Sequence, residues 1–322
     1  MRSGPDVRVG IVSWNTADLL DRCLAALPKA LGSLGAEVVV VDNASADASA
    51  DVAASHPDVR VIRNPVNVGY ARAMNQALSG TEAPTLMALN PDTEAPPGSL
   101  AMLVERLGDQ PDVALVVPRL ANADGSTQHS VYRFPSPLVA AAVCFIPPRW
   151  QRGRIGQRLW LEGASPHDTT TDIDWAIGAV HVLRADALAG RLPYDERWFM
   201  YVEDIELCWW LATRGWRRRF EADVTVPHIG NAAGDRAWGH NRTGRWIDAT
   251  YDWYARDRGP FAVRTWALIN TLGVLVHVGL GVLRRDRGTV AGLWRVLPNH
   301  ARVIVLGARP PAGPPPDLVA PS

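Results

Sequence analysis

The sequence predicts an α/β fold built on a doubly wound, mostly parallel sheet. Short β-branched apolar runs alternate with segments whose apolar residues recur at helical spacing. The runs are continuous rather than alternating with polar residues, as expected of strands that helices cover on both faces. Sheets of this kind bind ligands beyond the carboxyl ends of their strands. Functional residues are therefore expected at those ends.

Five strands and four helices make up the first part of this sheet. We expect the strands at 7–12, 38–41, 59–62, 86–89 and 113–117, and the helices at 17–27, 46–54, 70–78 and 98–107. Further on, the pattern predicts a strand over 174–183, a short helix over 185–189, an acidic helix over 203–213 and closing strands at 216–220 and 224–226. Residues 245–306 are predicted to be helical.

Composition limits the class of protein. Lys plus Arg and Asp plus Glu both number 33, so the formal net charge is zero and no nucleic acid is expected as a partner. Three scattered cysteines favour a reducing compartment over a disulfide framework. We predict one domain over 1–235, with halves at about 7–117 and 118–235, then a helical section over 236–308. A proline-rich tail over 309–322 is expected to be disordered.

Polar side chains follow the first two strands. Ser13 and Asn15 end the first strand, and Asp42 and Asn43 end the second. Side chains at neighbouring strand ends are well placed to bind the base and ribose of a nucleotide. Neither the dinucleotide glycine fingerprint nor a Walker lysine loop is present. The alternative is that these residues only form a turn and cap a helix.

A second group of polar residues suits a metal ion and a diphosphate. The fourth strand runs into Asn90, Pro91 and Asp92, and an acid in this position suits Mg²⁺ or Mn²⁺ bridging two phosphates. His228 follows the last strand and could complete the site if that strand end faces Asp92. Gly69 allows close approach to a ligand, and Arg72 could face a pyrophosphate. A simple turn, a core histidine and a solvated arginine are the alternatives.

Two adjacent acids, Glu203 and Asp204, begin the aromatic-rich helix. Burial near indole rings raises the basicity of a carboxylate toward neutral pH, which suits a general base. The two side chains point about 100° apart on a helix, so only one is expected to face a cleft. Trp175, Trp198 and Tyr201 could stack on a sugar or pack in the core.

Taken in order, these elements resemble the inverting glycosyltransferases of family 2, which have the GT-A fold, and especially their rhamnosyltransferase-like branch. The resemblance covers about residues 7–235, and its most specific parts are 90–93 and 199–208. It implies transfer of a sugar, with L-rhamnose from dTDP-L-rhamnose expected, to a hydroxyl of a glycan or polyprenyl-diphosphate-linked acceptor. Cell-envelope polysaccharide synthesis is the implied process.

The resemblance also implies roles for the candidate residues. Asp204 would be the general base with Glu203 as its supporting neighbour. Asp92 would be the last acid of a DXD-like motif that holds Mg²⁺ or Mn²⁺, with Asn90 in place of the first acid and His228 as a further ligand. The implied nucleotide-sugar contacts are Ser13, Asn15, Asp42, Asn43, Gly69, Arg72 and Asn90. The implied acceptor residues are Trp175, Gly178, Trp198 and Tyr201.

An uncharged stretch, residues 265–283, lies between Arg264 and the pair Arg284-Arg285. Its length just reaches that of a membrane span. Polar and small residues on one helical stripe favour instead a helix in the membrane interface with basic anchors. A packed soluble helix and a true span are the alternatives. The expected location is cytoplasmic, at the inner face of the cell membrane.

Two other functions remain open at this level. A sugar-1-phosphate nucleotidyltransferase would also use a nucleotide-binding sheet, but it would show a glycine-rich basic loop where residues 13–16 stand. A non-catalytic nucleotide-sugar-binding scaffold is supported only by Asn90 at the first position of the metal motif. Retention of Glu203 and Asp204 counts against a scaffold.

Overall fold

The computed structural model describes residues 4–151, 153–159, 167–230 and 242–309, which form two compact units. The first unit contains the described residues up to 131 and from 167 to 230. The second contains those at 132–159 and 242–309. Residues 132–159, predicted to lie in the acceptor half, therefore belong with the C-terminal helices. Residues 310–322 of the predicted tail lie outside the described residues.

The strands of the described chain are β1 (Val7–Ser13), β2 (Ala36–Asp42), β3 (Val59–Arg63), β4 (Thr85–Leu89), β5 (Val113–Ala121), β6 (Thr127–Gln128), β7 (Val131–Tyr132), β8 (Thr171–Asp172), β9 (Trp175–Ala176), β10 (Val180–Arg184) and β11 (Arg217–Pro227). The helices are α1 (Ala17–Leu31), α2 (Ser49–Ser55), α3 (Tyr70–Leu78), α4 (Ser99–Gly108), α5 (Pro137–Phe145), α6 (Pro148–Gln151), α7 (Arg154–Leu159), α8 (Glu203–Thr213), α9 (Arg242–Leu283) and α10 (Arg287–Leu306), with a 3₁₀ turn at Ala185–Leu188.

The main sheet runs in the order β3-β2-β1-β4-β10-β5-β11-β8, with β6 beside β5. Strands β1 to β4 pair in parallel, as do β5 and β11, whereas β10, β8 and β6 are antiparallel to their neighbours. This mostly parallel arrangement confirms the predicted fold class. The strand order reverses between β1 and β4, and such a switch point opens a crevice at the carboxyl ends of the strands.

The core of the first unit explains where α3 lies. Strand β1 is buried along its whole length. At Gly10, in its middle, an added methyl group would lie 2.9 Å from the side chains of Ala77 and Leu78. Helix α3 therefore packs directly on β1, because glycine leaves room for it. This close packing fixes the position of α3, whose first residue, Tyr70, lies in the candidate site.

At three places the predicted elements are divided, merged or shifted in the structure. The strand expected over 174–183 is interrupted at residues 177–179 and forms β9 and β10. The two closing strands form the single strand β11, with a register shift between Glu221 and Thr225. Helix α2 begins at Ser49 rather than at 46, because Asp47 and Asp42 accept hydrogen bonds from backbone N–H groups in the preceding turn.

The second unit is helical, as predicted for the C-terminal section. Helix α9 is broken at Gly259, whose φ of 82° and ψ of 170° are not helical, just before Pro260. Helix α5 packs on α9 where Cys144 lies against Gly273, and any side chain at Gly273 would collide with that thiol. His277 donates to the Cys144 carbonyl oxygen at 3.0 Å. The apolar α5 is therefore covered by a helix distant in sequence, which explains why residues 132–159 join this unit.

Within the described residues, α9 is one helix that is long and apolar enough to cross a membrane. Only 22% of its most apolar window is buried. The exposed large apolar residues of α9 and α10 are Trp246, Phe261, Leu268, Leu272, Leu275, Val276, Leu280, Val282, Leu283, Trp294, Val305 and Leu306. Most of this apolar surface therefore faces outward rather than into a core.

Candidate active site

Asp42 ends β2 and is buried at the carboxyl edge of the sheet. Its Oδ2 accepts a hydrogen bond from the Ser45 N–H at 3.2 Å. Its Oδ1 is buried and has no hydrogen-bond partner in the described part of the chain. A buried carboxylate oxygen without a donor is unfavourable. Asp42 therefore has a free acceptor for a ligand hydroxyl or N–H.

Asn43 differs from its neighbour because its hydrogen bonds are satisfied inside the protein. Its Nδ2 donates to Asn67 Oδ1 at 2.7 Å and to the Gly69 carbonyl at 3.3 Å. Its Oδ1 accepts from the Val68 N–H and from Asn64 Nδ2, both at 3.0 Å. The structure thus favours a role for Asn43 in shaping the loop before α3 over direct nucleotide contact.

Ser13 and Asn15 also make internal contacts. Ser13 is fully buried, and its hydroxyl lies 2.8 Å from that of Thr16, so the hydroxyl does not face the crevice. Asn15 adopts a φ of 55°, and its Oδ1 accepts from the Ala46 N–H at 2.7 Å. Of the two, only Asn15 is partly exposed. The turn alternative therefore describes Ser13 better than nucleotide contact does.

Asp92 and His228 come together at the other side of the crevice. Asp92 Oδ1 and His228 Nε2 are 3.2 Å apart, and both residues are buried. His228 Nδ1 donates to Gln128 Oε1 at 2.7 Å, so Nε2 is the ring nitrogen that faces the carboxylate. When Nε2 carries no proton, the nitrogen and the carboxylate oxygen suit a shared cation. Asn90 lies beside them, with its Nδ2 3.4 Å from His228 Nε2.

This donor set fits Mg²⁺ or Mn²⁺ as a partial site. Carboxylate oxygen and imidazole nitrogen are ligands that Mn²⁺ accepts, and Mg²⁺ commonly takes one or two carboxylates with phosphate oxygens completing its shell. The described residues contain no cluster of three or more His, Cys, Asp or Glu side chains suited to a metal. A cation here would depend on donor phosphates for its remaining ligands.

The backbone is strained immediately before the acid pair. Tyr201 and Val202 adopt φ values of 74° and 76°, in the left-handed region that favours glycine. Each such residue costs on the order of 1–3 kcal/mol, and a β-branched residue is rare there. Val202 directly precedes the first residue of α8, Glu203. The strained turn therefore sets the direction in which both acids project.

The two acids differ in the hydrogen bonds that they receive. Burial, reinforced by the charge of Asp204, raises the pKa of Glu203 to about 8, and Glu203 Oε2 has no hydrogen-bond partner among the described residues. Burial also raises the pKa of Asp204 to about 6, opposed by hydrogen bonds from the backbone N–H groups of Ile205 and Gly178. Burial thus raises the pKa of both acids toward neutral pH, and Asp204 receives more backbone N–H donors that favour its ionised form than Glu203 does. Of the two, Asp204 is better suited to accept a proton.

Tyr70 connects the two sides of the crevice. Its pKa is raised well above the usual value, by burial and then by the charges of Glu203, Asp204 and Asp92. Its hydroxyl donates to the Gly178 carbonyl at 3.3 Å. Glu203 and Asp204 on one side and Asp92 on the other thus lie around the ring of Tyr70. Sequence reasoning missed Tyr70, although its place directly after Gly69, at the start of a helix, was a usable signal.

Gly69 brings the loop before α3 against the loop before α8. Its φ is 87°, and an added methyl group would collide with the carbonyl oxygen of Phe199. The Tyr70 N–H donates to that same oxygen at 2.8 Å. The predicted close approach at Gly69 is therefore to the protein's own backbone.

Three predicted contacts lie elsewhere than expected. The Arg72 side chain is 62% exposed, and its nearest carboxylate is Glu196, at 4.0 Å. Trp175 and Trp198 are only 5% and 2% exposed, which leaves no ring face for a sugar and favours the packing alternative. Tyr201 is partly exposed, and Gly178 lies against the side chain of Asp204.

The geometry agrees with comparisons to known proteins. Residues 8–169, half of the chain, match the family described as Glycosyl transferase family 2. The chain belongs to this family. The family 2 enzyme is 27% identical over 229 residues to the N-acetylglucosaminyl-diphospho-decaprenol L-rhamnosyltransferase of Mycobacterium tuberculosis. The aligned region covers 67% of this chain and 74% of the relative.

Two further similarities support the assignment of this family 2 enzyme. It is 30% identical over 232 residues to the pre-mycofactocin glycosyltransferase of Mycobacterium tuberculosis, covering 70% of this chain and 44% of the relative. A mannosyltransferase of Pyrobaculum calidifontis, solved with GDP-Man and Mn²⁺, superimposes with a TM-score of 0.55 at 17% identity, covering 96% of this chain and 89% of that one. The enzyme is therefore a glycosyltransferase with the GT-A fold, not a nucleotidyltransferase.

Proposed function

We propose that this glycosyltransferase moves a sugar from a nucleotide-sugar donor to an acceptor hydroxyl with inversion at the anomeric carbon. Asp204 acts as the general base. The observation that carries the proposal is the half-buried Asp204 at the start of α8, beside Glu203, with its pKa raised by burial toward neutral pH and with Asp92 acting on the same Tyr70 ring.

The transfer is a single displacement at the anomeric carbon of the donor sugar. The acceptor hydroxyl gives its proton to Asp204 while its oxygen bonds to the anomeric carbon. On the opposite face, the bond between that carbon and the nucleoside diphosphate breaks, and the diphosphate leaves with the electron pair. General-base catalysis of this kind typically contributes about 10²–10⁴-fold to the rate. The mechanism requires no covalent intermediate.

The donor binds at the other end of the crevice. The free Oδ1 of Asp42 accepts a hydrogen bond from the nucleotide base or from a ribose hydroxyl. Asp92 and His228 would hold Mg²⁺ or Mn²⁺, which when bound neutralises the charge of the leaving diphosphate. Mn²⁺ in the structure of the Pyrobaculum calidifontis mannosyltransferase supports this choice of ion.

The relatives support a particular donor and acceptor. The similarity to a rhamnosyltransferase named for a decaprenyl-diphosphate acceptor favours L-rhamnose from dTDP-L-rhamnose. An acceptor glycan carried on polyprenyl diphosphate follows from the same name. The reaction would then belong to cell-envelope polysaccharide synthesis at the cytoplasmic face of the membrane.

The second unit suits a membrane surface. The apolar residues exposed on α9 and α10 lie next to Arg284, Arg285 and Arg287, none of which has an ion-pair partner in the described part of the chain. Apolar surface beside arginines binds the interface of an anionic bilayer. Such docking would bring the enzyme to a lipid-linked acceptor.

The test of the proposal is Asp204→Asn, assayed against a panel of nucleotide sugars with Mg²⁺ or Mn²⁺. We expect transfer to fall by about 10² or more while donor binding stays within a few-fold. The exposed Asp58→Asn is the control and should leave both unchanged. Retained transfer by Asp204→Asn would show that another group is the base. Retention of the donor's anomeric configuration in the product would exclude an inverting displacement.

A further inference from the structure

The loop after β4 is bound to the end of β11 by a short antiparallel pairing. Thr93 lies directly opposite His228 in an isolated bridge. The Ile229 N–H donates to the Asp92 carbonyl at 3.0 Å on one side of the bridge, and a second backbone hydrogen bond of 3.1 Å closes the other side. The His228 N–H donates to the Ala121 carbonyl at 2.8 Å, so this end of β11 is also held by β5. The bridge therefore fixes how the segments that carry Asp92 and His228 approach each other.

Thr93 closes the turn that carries Asp92. Its hydroxyl donates to the Asn90 carbonyl at 2.8 Å, and its N–H donates to the same oxygen at 3.3 Å. Thr93 is fully buried, so the hydroxyl bond is shielded from water. The start of the turn is fixed as well, because the Asn90 N–H donates to the Ala179 carbonyl at 2.9 Å. The turn from Asn90 to Thr93 is therefore held at both of its ends.

Cys23 on α1 contacts the same turn from the core. Its Sγ lies 3.7 Å from Thr93 Oγ1 and 3.7 Å from the Asn90 carbonyl oxygen. Burial raises the pKa of Cys23 to about 12, so the sulfur keeps its proton and can donate it. The single hydrogen of the Thr93 hydroxyl goes to Asn90, so Thr93 Oγ1 acts as an acceptor toward the thiol. The direction of the Thr93 hydroxyl is thus set from two sides.

We propose that Thr93 is a positioning residue for the divalent cation, which is itself part of the proposed function. By closing the turn from Asn90, Thr93 holds Asp92 Oδ1 at 3.2 Å from His228 Nε2, and these two atoms would share Mg²⁺ or Mn²⁺. Because Asn90 replaces the first acid of the motif, the site depends strongly on the position of Asp92. A valine would fill the same volume in this buried place without a polar group to satisfy, so packing alone does not require threonine.

The test removes the hydroxyl and the methyl group of Thr93 separately. Thr93→Val keeps the shape of the side chain and loses the hydroxyl, whereas Thr93→Ser keeps the hydroxyl and loses the methyl group. Binding of Mn²⁺ is measured without turnover, from the electron paramagnetic resonance signal of free Mn²⁺ in the presence of thymidine diphosphate. Thr93→Val should weaken Mn²⁺ binding by about 10-fold, the low end for groups that orient metal ligands, and Thr93→Ser should stay near the wild type.

Ser99→Ala is the matched control because it removes a hydrogen bond of the same kind at a different place. The Ser99 hydroxyl also donates to a carbonyl three residues earlier, that of Pro96, at 2.7 Å. Ser99 is buried as well, and it lies at the start of α4. The control should lower the Tm about as much as Thr93→Val does, and it should leave Mn²⁺ binding unchanged.

A lower Tm for Thr93→Val with wild-type affinity for Mn²⁺ would overturn the inference and leave Thr93 a purely structural residue. If the valine variant does not fold, Thr93→Ala is compared with Thr93→Ser, since these two differ only in the hydroxyl, and equal Mn²⁺ affinity of that pair would overturn the inference. A wild-type protein that binds no Mn²⁺ would overturn it together with the cation of the proposed function. Weaker Mn²⁺ binding by Thr93→Val in a protein that transfers no sugar would contradict the proposed function and not the role of Thr93.

Discussion

Glu203 and Asp204 are adjacent in the chain, yet they are expected to respond to pH in different ranges. The pKa of Glu203 is raised from 4.5 to about 8 by burial. Because the folded-state pKa is higher than the unfolded one, the stability from protonated Glu203 is complete below pH 4.5 and is lost as pH rises through about 8. The raised pKa of Asp204 acts in the same direction at lower pH.

Glu203→Gln removes this dependence because the amide does not ionise. We expect its Tm to exceed that of the wild type above about pH 8 and to approach it below about pH 4.5. Thermal melts across this range, with the exposed Glu105→Gln as control, measure the difference. Parallel Tm curves for the wild type and Glu203→Gln would mean that Glu203 is ionised in the folded protein throughout.

Gln128 controls His228 through the hydrogen bond from Nδ1. Groups that orient a metal-bound histidine in this way typically contribute about 10–100-fold to metal affinity or activity. Gln128→Leu should therefore raise the Mn²⁺ concentration for half-maximal activity by about that factor, and His228→Leu by at least as much. The measurement is activity against Mn²⁺ concentration at saturating donor. If both variants keep the wild-type curve, His228 takes no part in metal binding.

The sequence predicted which residues lie in the candidate site better than it predicted which residues they contact. It predicted that His228 would lie near Asp92 if the last strand ended there, and the structure places them together. It could not separate Asp42 from Asn43, because a polar side chain at a strand end can bind a ligand or its own loop equally well. The hydrogen bonds of His181 with Ala176 and Tyr194 could not be predicted, since they join residues whose approach only the folded chain defines.

At the level of elements, the contact at Gly69 determines how α3 meets the turn before α8. Gly69→Ala would combine a left-handed φ with a collision against the Phe199 carbonyl. Gly80→Ala shares the left-handed φ, of 66°, but meets no atom within 4 Å. We expect the control to lose about 1–2 kcal/mol from the free energy of unfolding. Gly69→Ala should lose a further ~1–3 kcal/mol through the collision. Equal losses in denaturant titrations would show that the two loops move apart easily.

The helices and strands were predictable to different degrees. Those of the first sheet half follow from local apolar periodicity, and α3 was predicted with its observed bounds. The break between β9 and β10 was not predictable, because it depends on hydrogen bonds with the Ser130 carbonyl, the Tyr70 hydroxyl and the Asn90 N–H. The packing of α5 on α9 was also not predicted. The apolar sequence of α5 indicates that the helix is buried against another element, but it does not indicate which one.

At the level of the whole molecule, arginines on the second unit are expected to control lipid binding. Replacing Arg284, Arg285 and Arg287 with Gln removes three charges, each worth about 1 kcal/mol at an anionic surface, so affinity for phosphatidylserine-containing vesicles should fall on the order of 100-fold. Binding to neutral vesicles should change little. Vesicle co-sedimentation of the full chain measures both.

A matched control carries the same change in charge on the first unit. Arg22, Arg63 and Arg106 form exposed ion pairs, which contribute little to stability, and their replacement with Gln should leave vesicle binding unchanged. Equal loss in the two triple variants would indicate attraction by total charge alone. Undiminished binding of the second-unit variant would place the lipid contact elsewhere.

The strained turn at Tyr201 and Val202 is expected to lower the thermal stability of this enzyme while it supports a high catalytic rate. Glycine at either position would adopt the same backbone without a steric cost, so selection for thermal survival alone should enrich it there. The same replacement would allow Glu203 and Asp204 more orientations, and the survivors would be slower catalysts. Directed evolution toward a durable enzyme would therefore do best to exclude these two codons from its library and search the rest of the scaffold.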